Sequence, residues 1–533
     1  MSTKTLFILG LITASTFGRS QGCTPPEQTV VVAYPSGTIL PDIGTSDMPI
    51  STKSNKAKQL ALQGFALIHC YWPNEAIRSF RDAVKEDPTC AIAWCGLNIS
   101  LTQPWFANAS YKAEAEYAIK KAITNIDTVS EPEQDLIRAF RLRAIGKDDR
   151  GSEFEKAMQA LVDKHPKLDE PRLLWAGIRA QLCMNVNYLP SGDPRMDLEF
   201  VVKLIEPVIK RNPKSAGAMH YWIHACEPGT PKRAEKAADD LQRIAKGSPH
   251  MVHMAGHLYN RVGRYEDGQR VFARAKEMDE ALGKLFGVPP SQAIWQYYHN
   301  VSFQALNILE LGRINEAIEL SKIATHTKFD IANRVGDWKN AFDAKRTDAQ
   351  GTAMKNAYLA RHDLQINDIA AARQKVNDAK VEIEKPEPTN WGRTGFRLLK
   401  TSVLESEGMV LAAEGKVDDA IKALQESIRT FKSVEYEEPV DLIQIPHETL
   451  GKVLTDAKRY DEAIRAFQDG LKERPNSGWL LFGLAKAHEE AGKKRDAERA
   501  YQTFLKAWTT ADRDRPEVKH AEAFMDSVRP KRL

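Results

Sequence analysis

Residues 60–88 read LALQGFALIHCYWPNEAIRSFRDAVKEDP, and the fold follows from how this stretch recurs along the chain. Its apolar residues return at three- and four-residue spacing in two runs separated by a short turn, the period of two amphipathic helices rather than of strands. Gly64, Ala76 and Ala83 are small where two such helices would cross. Phe80 supplies an aromatic to fill the gap they leave, and Pro88 ends the second helix. The same markers come back in GHLYNRVGRYEDGQRVFARA, residues 256–275, as Gly256, Tyr259, Gly263, Phe272 and Ala275. Further copies carry Gly312 and Ala317, then Gly408, Gly415 and Ala420, then Gly451, Ala463, Phe467 and Pro475. Gly492, Ala497 and Tyr501 close the series, with Ala463 and Ala497 34 residues apart.

Self-similarity at this period is the mark of a helical-hairpin array, and the markers resemble the tetratricopeptide repeat. The resemblance implies an all-α α-solenoid of stacked hairpins with a right-handed superhelix and a concave groove lined by the first helix of each repeat. The expected organisation is a signal peptide at 1–22 and an irregular segment at 23–52. A first repeat array at 53–325 carries the histidines described below. Divergent or connecting helices follow at 326–400, and a second array at 401–533.

Composition narrows the function classes. Lys and Arg total 75 against 71 Asp and Glu, a formal net charge of +4, and the charges are interspersed rather than gathered in a basic stripe. That argues against nucleic acid as a partner. The apolar stretch Leu6–Phe17 behind Lys4 is too short to span a bilayer and has the form of an export signal, so the expected location is secreted, periplasmic or envelope. No transmembrane span is expected elsewhere. Cys23 after Gly22 is a weak candidate for a lipid anchor, because Ser20 stands where such sites carry Leu. Cys70, Cys90 and Cys95 fall on neighbouring helices and are read either as bridging or as buried thiols. No phosphate loop, G-x-S-x-G elbow or HExxH helix is present.

The chemistry concentrates in histidine. His220 and His224 in AMHYWIHACEP, and His253 and His257 in SPHMVHMAGHLYN, form two i, i+4 pairs offset by 33 residues, about one repeat. Each pair stacks on one helix face. The frame set by Gly256, Tyr259, Gly263 and Phe272 puts His250, His253 and His257 at the second, fifth and ninth positions of a repeat, slots that line the groove. The preceding repeat holds Gly217, His220, His224 and Glu227 in the matching slots, and His299 takes the second slot of the following one. Imidazoles in register on adjacent helices suit a transition metal (Zn, Cu or Fe), with His220, His224, His253 and His257 as ligands. His250, His299 and Glu227 are further or supporting ligands, and Glu227 is also a candidate general base. Met219, Met251, Met254 and Cys226 flank these slots and read as packing.

Several pieces together resemble a group of bacterial tetratricopeptide proteins: EAIRSFRDAVKEDPTCAIAWCGL, AMHYWIHACE, HMVHMAGHLYNRVGRYEDG, WQYYHN, YEEPVDLIQIPHETLG and NSGWLLFGLAKAHEEAG. That group carries Pro where this chain has Ala255. The resemblance implies that the histidine block belongs to a whole-chain architecture, and it supplies no reaction. Glu437, Glu438, Pro439 and His447 lie in matched pieces and read as joining two repeats. Three functions stay open: an exported metal-binding solenoid with or without enzymatic activity, a metal-free scaffold holding a peptide or protein segment in its groove, and an extracellular or envelope structural component.

Overall fold

The computed structural model describes residues 33–106, 108–146, 151–183, 196–325, 327–339, 348–388, 392–434 and 442–528. The expected signal peptide, Cys23 and Glu437–Pro439 lie outside them. Among the described residues the chain forms twenty-five α-helices and no strand. The first half comprises α1 (Asn55–His69), α2 (Pro73–Glu86), α3 (Ala91–Leu101), α4 (Lys112–Thr124), α5 (Glu131–Ile145), α6 (Glu153–Lys164), α7 (Glu170–Cys183) and α8 (Met196–Arg211). It continues through α9 (Ala216–Cys226), α10 (Glu235–Ile244), α11 (Pro249–Val262), α12 (Tyr265–Phe286), α13 (Pro290–Ala293), α14 (Tyr297–Glu310), α15 (Ile314–Ser321) and α16 (Lys328–Val335). The second half comprises α17 (Ala349–Gln365), α18 (Ile369–Ile383), α19 (Gly392–Ala413), α20 (Val417–Lys432), α21 (Pro446–Asp456), α22 (Tyr460–Glu473), α23 (Gly478–Glu490), α24 (Lys494–Ala507) and α25 (Pro516–Val528).

Sequence neighbours pack as antiparallel hairpins: α1 with α2, α11 with α12, α17 with α18, α19 with α20, α21 with α22 and α23 with α24. The recurring spacing of the markers has a steric cause. A Cβ added at Gly64 would stand 2.6 Å from the Phe80 ring, one at Gly256 2.5 Å from Phe272, and one at Gly451 2.6 Å from Phe467. In each pair the aromatic follows the glycine by the same offset (64 to 80, 256 to 272, 451 to 467). Gly408 meets Leu424 in the same way at 2.5 Å. The rings of Phe80 and Phe467 also reach the next repeat, where a Cβ at Gly96 or Gly483 would stand 2.2 Å away. One side chain thus spaces the two helices of a hairpin and the hairpin that follows. The segment 326–400, whose sequence matches the repeat poorly, still contributes the α17–α18 hairpin.

Two features differ from an open solenoid. Residues 33–52 form no helix, yet they are tied across the array by hydrogen bonds. The Asp47 carboxylate accepts from the backbone N–H groups of Asp169 and Glu170 at 2.7 and 2.8 Å. Ser51 N–H donates to Glu133 at 2.7 Å, and Gly247 N–H to the Asp42 carbonyl at 2.8 Å. The second feature is that the C-terminal hairpins dock back on α14. Trp508 Nε1 donates to the Glu310 carbonyl at 2.9 Å, Trp479 Nε1 to the Leu309 carbonyl at 3.0 Å, and Ser477 Oγ to the Glu310 carboxylate at 2.6 Å.

Cys70, Cys90, Cys95 and Cys226 are free and buried, so the bridged alternative for the first three is not formed. Burial pushes the Cys70 thiol up to about 12 and that of Cys90 to about 11. No described helix is long and apolar enough to cross a membrane.

The glycine–aromatic spacing yields a stability prediction. Gly256→Ala forces a methyl group into the Phe272 ring and lowers unfolding free energy by about 1–3 kcal/mol. Combining it with Phe272→Leu recovers part of the loss. Thermal unfolding followed by circular dichroism checks this, and a Gly256→Ala melt identical to the wild type would remove the contact from its spacing role.

Candidate metal centre

The histidines sit on the first helices of three successive hairpins. Ser215 caps α9 by accepting from the Ala218 N–H at 3.3 Å, and Ser248 caps α11 by accepting from the Met251 N–H at 3.4 Å. Pro249 opens α11 where no backbone donor is needed, and Gly263 closes it in the left-handed conformation at φ 76°. These caps fix the register at which each imidazole leaves its helix.

Six histidines gather into two adjacent groups. His220, His224 and His250 form one, and His253, His257 and His299 the other; within each, one nitrogen per ring lies within 4.8 Å of the others. Register alone places His220, His224, His253 and His257 in a single four-histidine site, with His250 and His299 as further or supporting ligands. The structure divides those four between two triads and makes His250 and His299 full members. The cause is the stagger between successive hairpins. The second slot of each first helix comes level with the fifth and ninth slots of the helix before it. Each i, i+4 pair is therefore completed from the next repeat. The triads meet where the His250 and His253 rings approach to 4.7 Å between centroids on α11.

Hydrogen bonds behind the rings determine what they present to each other. His220 Nδ1–H donates to the His69 carbonyl at 2.6 Å, and His250 Nδ1–H to Gln296 Oε1 at 3.1 Å. A neutral imidazole has one proton, so in both rings Nε2 is the acceptor nitrogen. They face each other at 3.0 Å, and His224 Nε2 stands 3.0 Å from His220 Nε2. In the second triad His257 Nδ1–H donates to Glu227 Oε1 at 3.1 Å, which leaves its Nε2 3.1 Å from that of His299. Neither ring nitrogen of His253 has a hydrogen-bond partner among the described residues, although the side chain is fully buried.

Ring nitrogens that converge at this distance in a dry site can be satisfied by a proton shared between them or by a metal ion. A proton is disfavoured: burial first, then the neighbouring imidazoles, holds His220 and His253 well below the ordinary histidine range. A metal fits the spacing. At metal–nitrogen distances of about 2.0–2.1 Å, nitrogens 3.0 Å apart subtend an angle of about 95° at the ion. The partners behind the rings (a carbonyl, an amide oxygen and a carboxylate) are the kinds that fix ligand tautomers in metal sites. Glu227, read from sequence as a ligand or general base, lies behind His257 as the acceptor that orients it.

The slots expected to line an open groove are closed. All six histidines are 0–3 % exposed. Tyr71 packs its ring 4.6 Å from His220 and 5.3 Å from His250, Trp295 lies 5.6 Å from His250, and Phe303 lies 4.2 Å from His257. Met219, Met251 and Met254 are core residues, as their register implied.

Three contributors are absent from the reading of the sequence, two of them with no signal there. His69 acts through its backbone carbonyl, which no side-chain pattern reports. Its ring is held by Glu170 at Nε2 and Tyr221 at Nδ1, both at 2.9 Å. Tyr71 reaches the first triad only because its backbone is left-handed at φ 50°, a strained state for an aromatic residue. Gln296 did carry a signal, since it belongs to the same WQYYHN stretch as His299. His447 lies in the second array against Phe431, with ring centroids 6.5 Å apart.

With the site described, comparison places the chain among helical-repeat proteins. Residues 454–523 match the tetratricopeptide-repeat family profile, so that stretch of this all-α chain is tetratricopeptide repeat. Among curated proteins none matches the sequence. Solved structures overlap it loosely. The anaphase-promoting-complex hetero-tetramer Cut9–Hcn1 is 16 % identical with a TM-score of 0.31, over 89 % of this chain and 76 % of that one. The human IFIT1 dimer with m7Gppp-AAAA is 13 % identical at 0.31, over 86 % and 91 %. Overlaps this loose bear on neither site nor ligand.

Two predictions follow from local geometry. Glu227→Gln removes the charge behind His257, and for a metal ion held by the second triad the expected loss of affinity is about 10–100-fold, measured by chelator competition; unchanged affinity would sever Glu227 from the centre. For His447, burial lowers its pKa from 6.5 to about 4. The unfolded chain therefore takes up its proton below about pH 6.5 while the folded chain does not. Stability falls as pH drops from about 6.5 to 4, by on the order of 3 kcal/mol from this group. In denaturant titrations across that window His447→Gln flattens the slope; a parallel slope would refute the assignment.

Proposed function

We propose that this protein is an exported helical-repeat protein that holds two transition-metal ions, one in each histidine triad. The observation that carries the reading is the gathering of six buried histidines into two triads, His220, His224 and His250 and then His253, His257 and His299, each with its ring nitrogens within 4.8 Å of one another. His253, buried with both nitrogens unpartnered, supports it from the second triad. Three imidazoles per ion leave a coordination position open, as in catalytic rather than closed structural sites. The donors are all nitrogen, which suits Cu, Zn or Fe and disfavours Mg, Ca or Mn.

The metal-free scaffold reading loses support at this place in the fold. A peptide could reach these histidines only by displacing Tyr71, Trp295 and Phe303. Export rests on the Leu6–Phe17 segment of the sequence.

Elemental analysis of the purified protein tests the reading. About two ions per chain are expected in the wild type, about one in His253→Ala and none in His220→Ala/His253→Ala. The intact mass of protein from its native compartment should lack the first ~22 residues. Metal-free wild type after reconstitution, or unchanged metal in the double variant, would refute the metal assignment; a full-length mature chain would refute export.

A further inference from the structure

The two triads are close enough, and similar enough, to act on one molecule together. His250 and His253 belong to different triads but are three residues apart on α11, an advance of on the order of 5 Å along the helix. Their rings touch at 4.7 Å, and His253 also approaches His299, its own triad partner, at 5.3 Å. Tyr71, Trp295, Phe272 and Phe303 pack against the rings of both triads, so two ions bound here would lie within one aromatic surround.

Charge then selects the ions. The ligands are neutral, and the carboxylate bonded to a ligand ring is Glu227. Glu170 acts only through the His69 ring. Asp279, beside Asn300 and Gln296, is driven toward its neutral form by burial. Two divalent ions would put four positive charges into a dry site with little to offset them, at a steep cost. Two cuprous ions halve that charge, and three imidazoles without carboxylate are donors copper accepts.

Access selects the reactant. With the six histidines 0–3 % exposed, no bulky substrate reaches the ions, whereas a diatomic gas can pass through side-chain fluctuations. Resting on the two-ion reading above, we propose that the triads hold a coupled pair of cuprous ions that binds dioxygen between them.

The step balances without a proton. Each Cu(I) gives one electron, dioxygen takes two and becomes a bridging peroxide with its O–O single bond intact, and both ions end as Cu(II). Two cuprous ions carry two positive charges. Two cupric ions with a peroxide dianion carry the same two. The net charge of the buried centre is unchanged, so the reaction needs no counter-ion to enter.

The test loads metal-free full-length protein with Cu(I), as its acetonitrile complex under argon, and then admits oxygen. Expected are about two coppers per chain, about one dioxygen taken up per two coppers, and a product silent in electron paramagnetic resonance because the two Cu(II) spins couple. In wild type loaded part-way, uptake rises as the square of fractional loading, which does not depend on any variant folding. His299→Asn, checked for helical circular dichroism, keeps about one copper and loses uptake at least ~10-fold. Two bound coppers with no uptake, uptake linear in loading, or a full signal from isolated Cu(II) would overturn the coupled pair and leave the metal sites standing. Failure to bind copper, zinc or iron at all would overturn the metal reading itself.

Discussion

The close approach of helices through glycine against an aromatic ring is the constraint on which the rest depends. Where Gly256 receives Phe272, α11 and α12 pack with almost no room for a side chain between them. Helix spacing in an array of this kind is therefore set by sterics at a few residues, while burial of apolar surface supplies the driving force. In the first array that burial is continuous, one core running from Ile43 to Ile331. The second array divides into smaller clusters, held to the first by indole and carboxylate contacts around Glu310.

The centre follows from this spacing. Helices that approach closely at glycine bring their neighbouring faces close too, and on α9, α11 and α14 those faces carry histidine. A solenoid that placed polar side chains there without partners would lose stability at each one. Here three of the six, His220, His250 and His257, are satisfied on one side by a carbonyl, an amide oxygen or a carboxylate, while the nitrogens on the other side converge. Tyr71 shows the same economy from another direction: its backbone strain positions a ring against three histidines at once.

Much of this was legible in the sequence, for a physical reason. Helical repeats reuse one packing solution, so Gly64, Gly256 and Gly451 and their aromatics announce it by spacing alone. The i, i+4 histidine pairs were legible on the same ground, because one helical turn is a local property. Grouping them was not, since it depends on the stagger between hairpins, which no local pattern encodes. His250 and His299 were thus visible as slot-sharing residues but not as partners of the pairs. The burial of the site was also hidden: Tyr71 is carried in by a turn, and Trp295 and Phe303 look like ordinary packing. The His69 carbonyl leaves no trace in sequence at all.

Each triad draws two ligands from one hairpin and the third from the next, and the two are chained through α9, α11 and α14. Arrays of this kind commonly lengthen and shorten by gaining or losing whole units, since each unit contacts only its neighbours. Across 216–310 that freedom is gone. A unit inserted between α9 and α11 would part His250 from His220 and His224, and one deleted would leave a pair with no third ligand. This stretch cannot gain or lose a unit without breaking a triad, a constraint that the hairpins on either side do not carry.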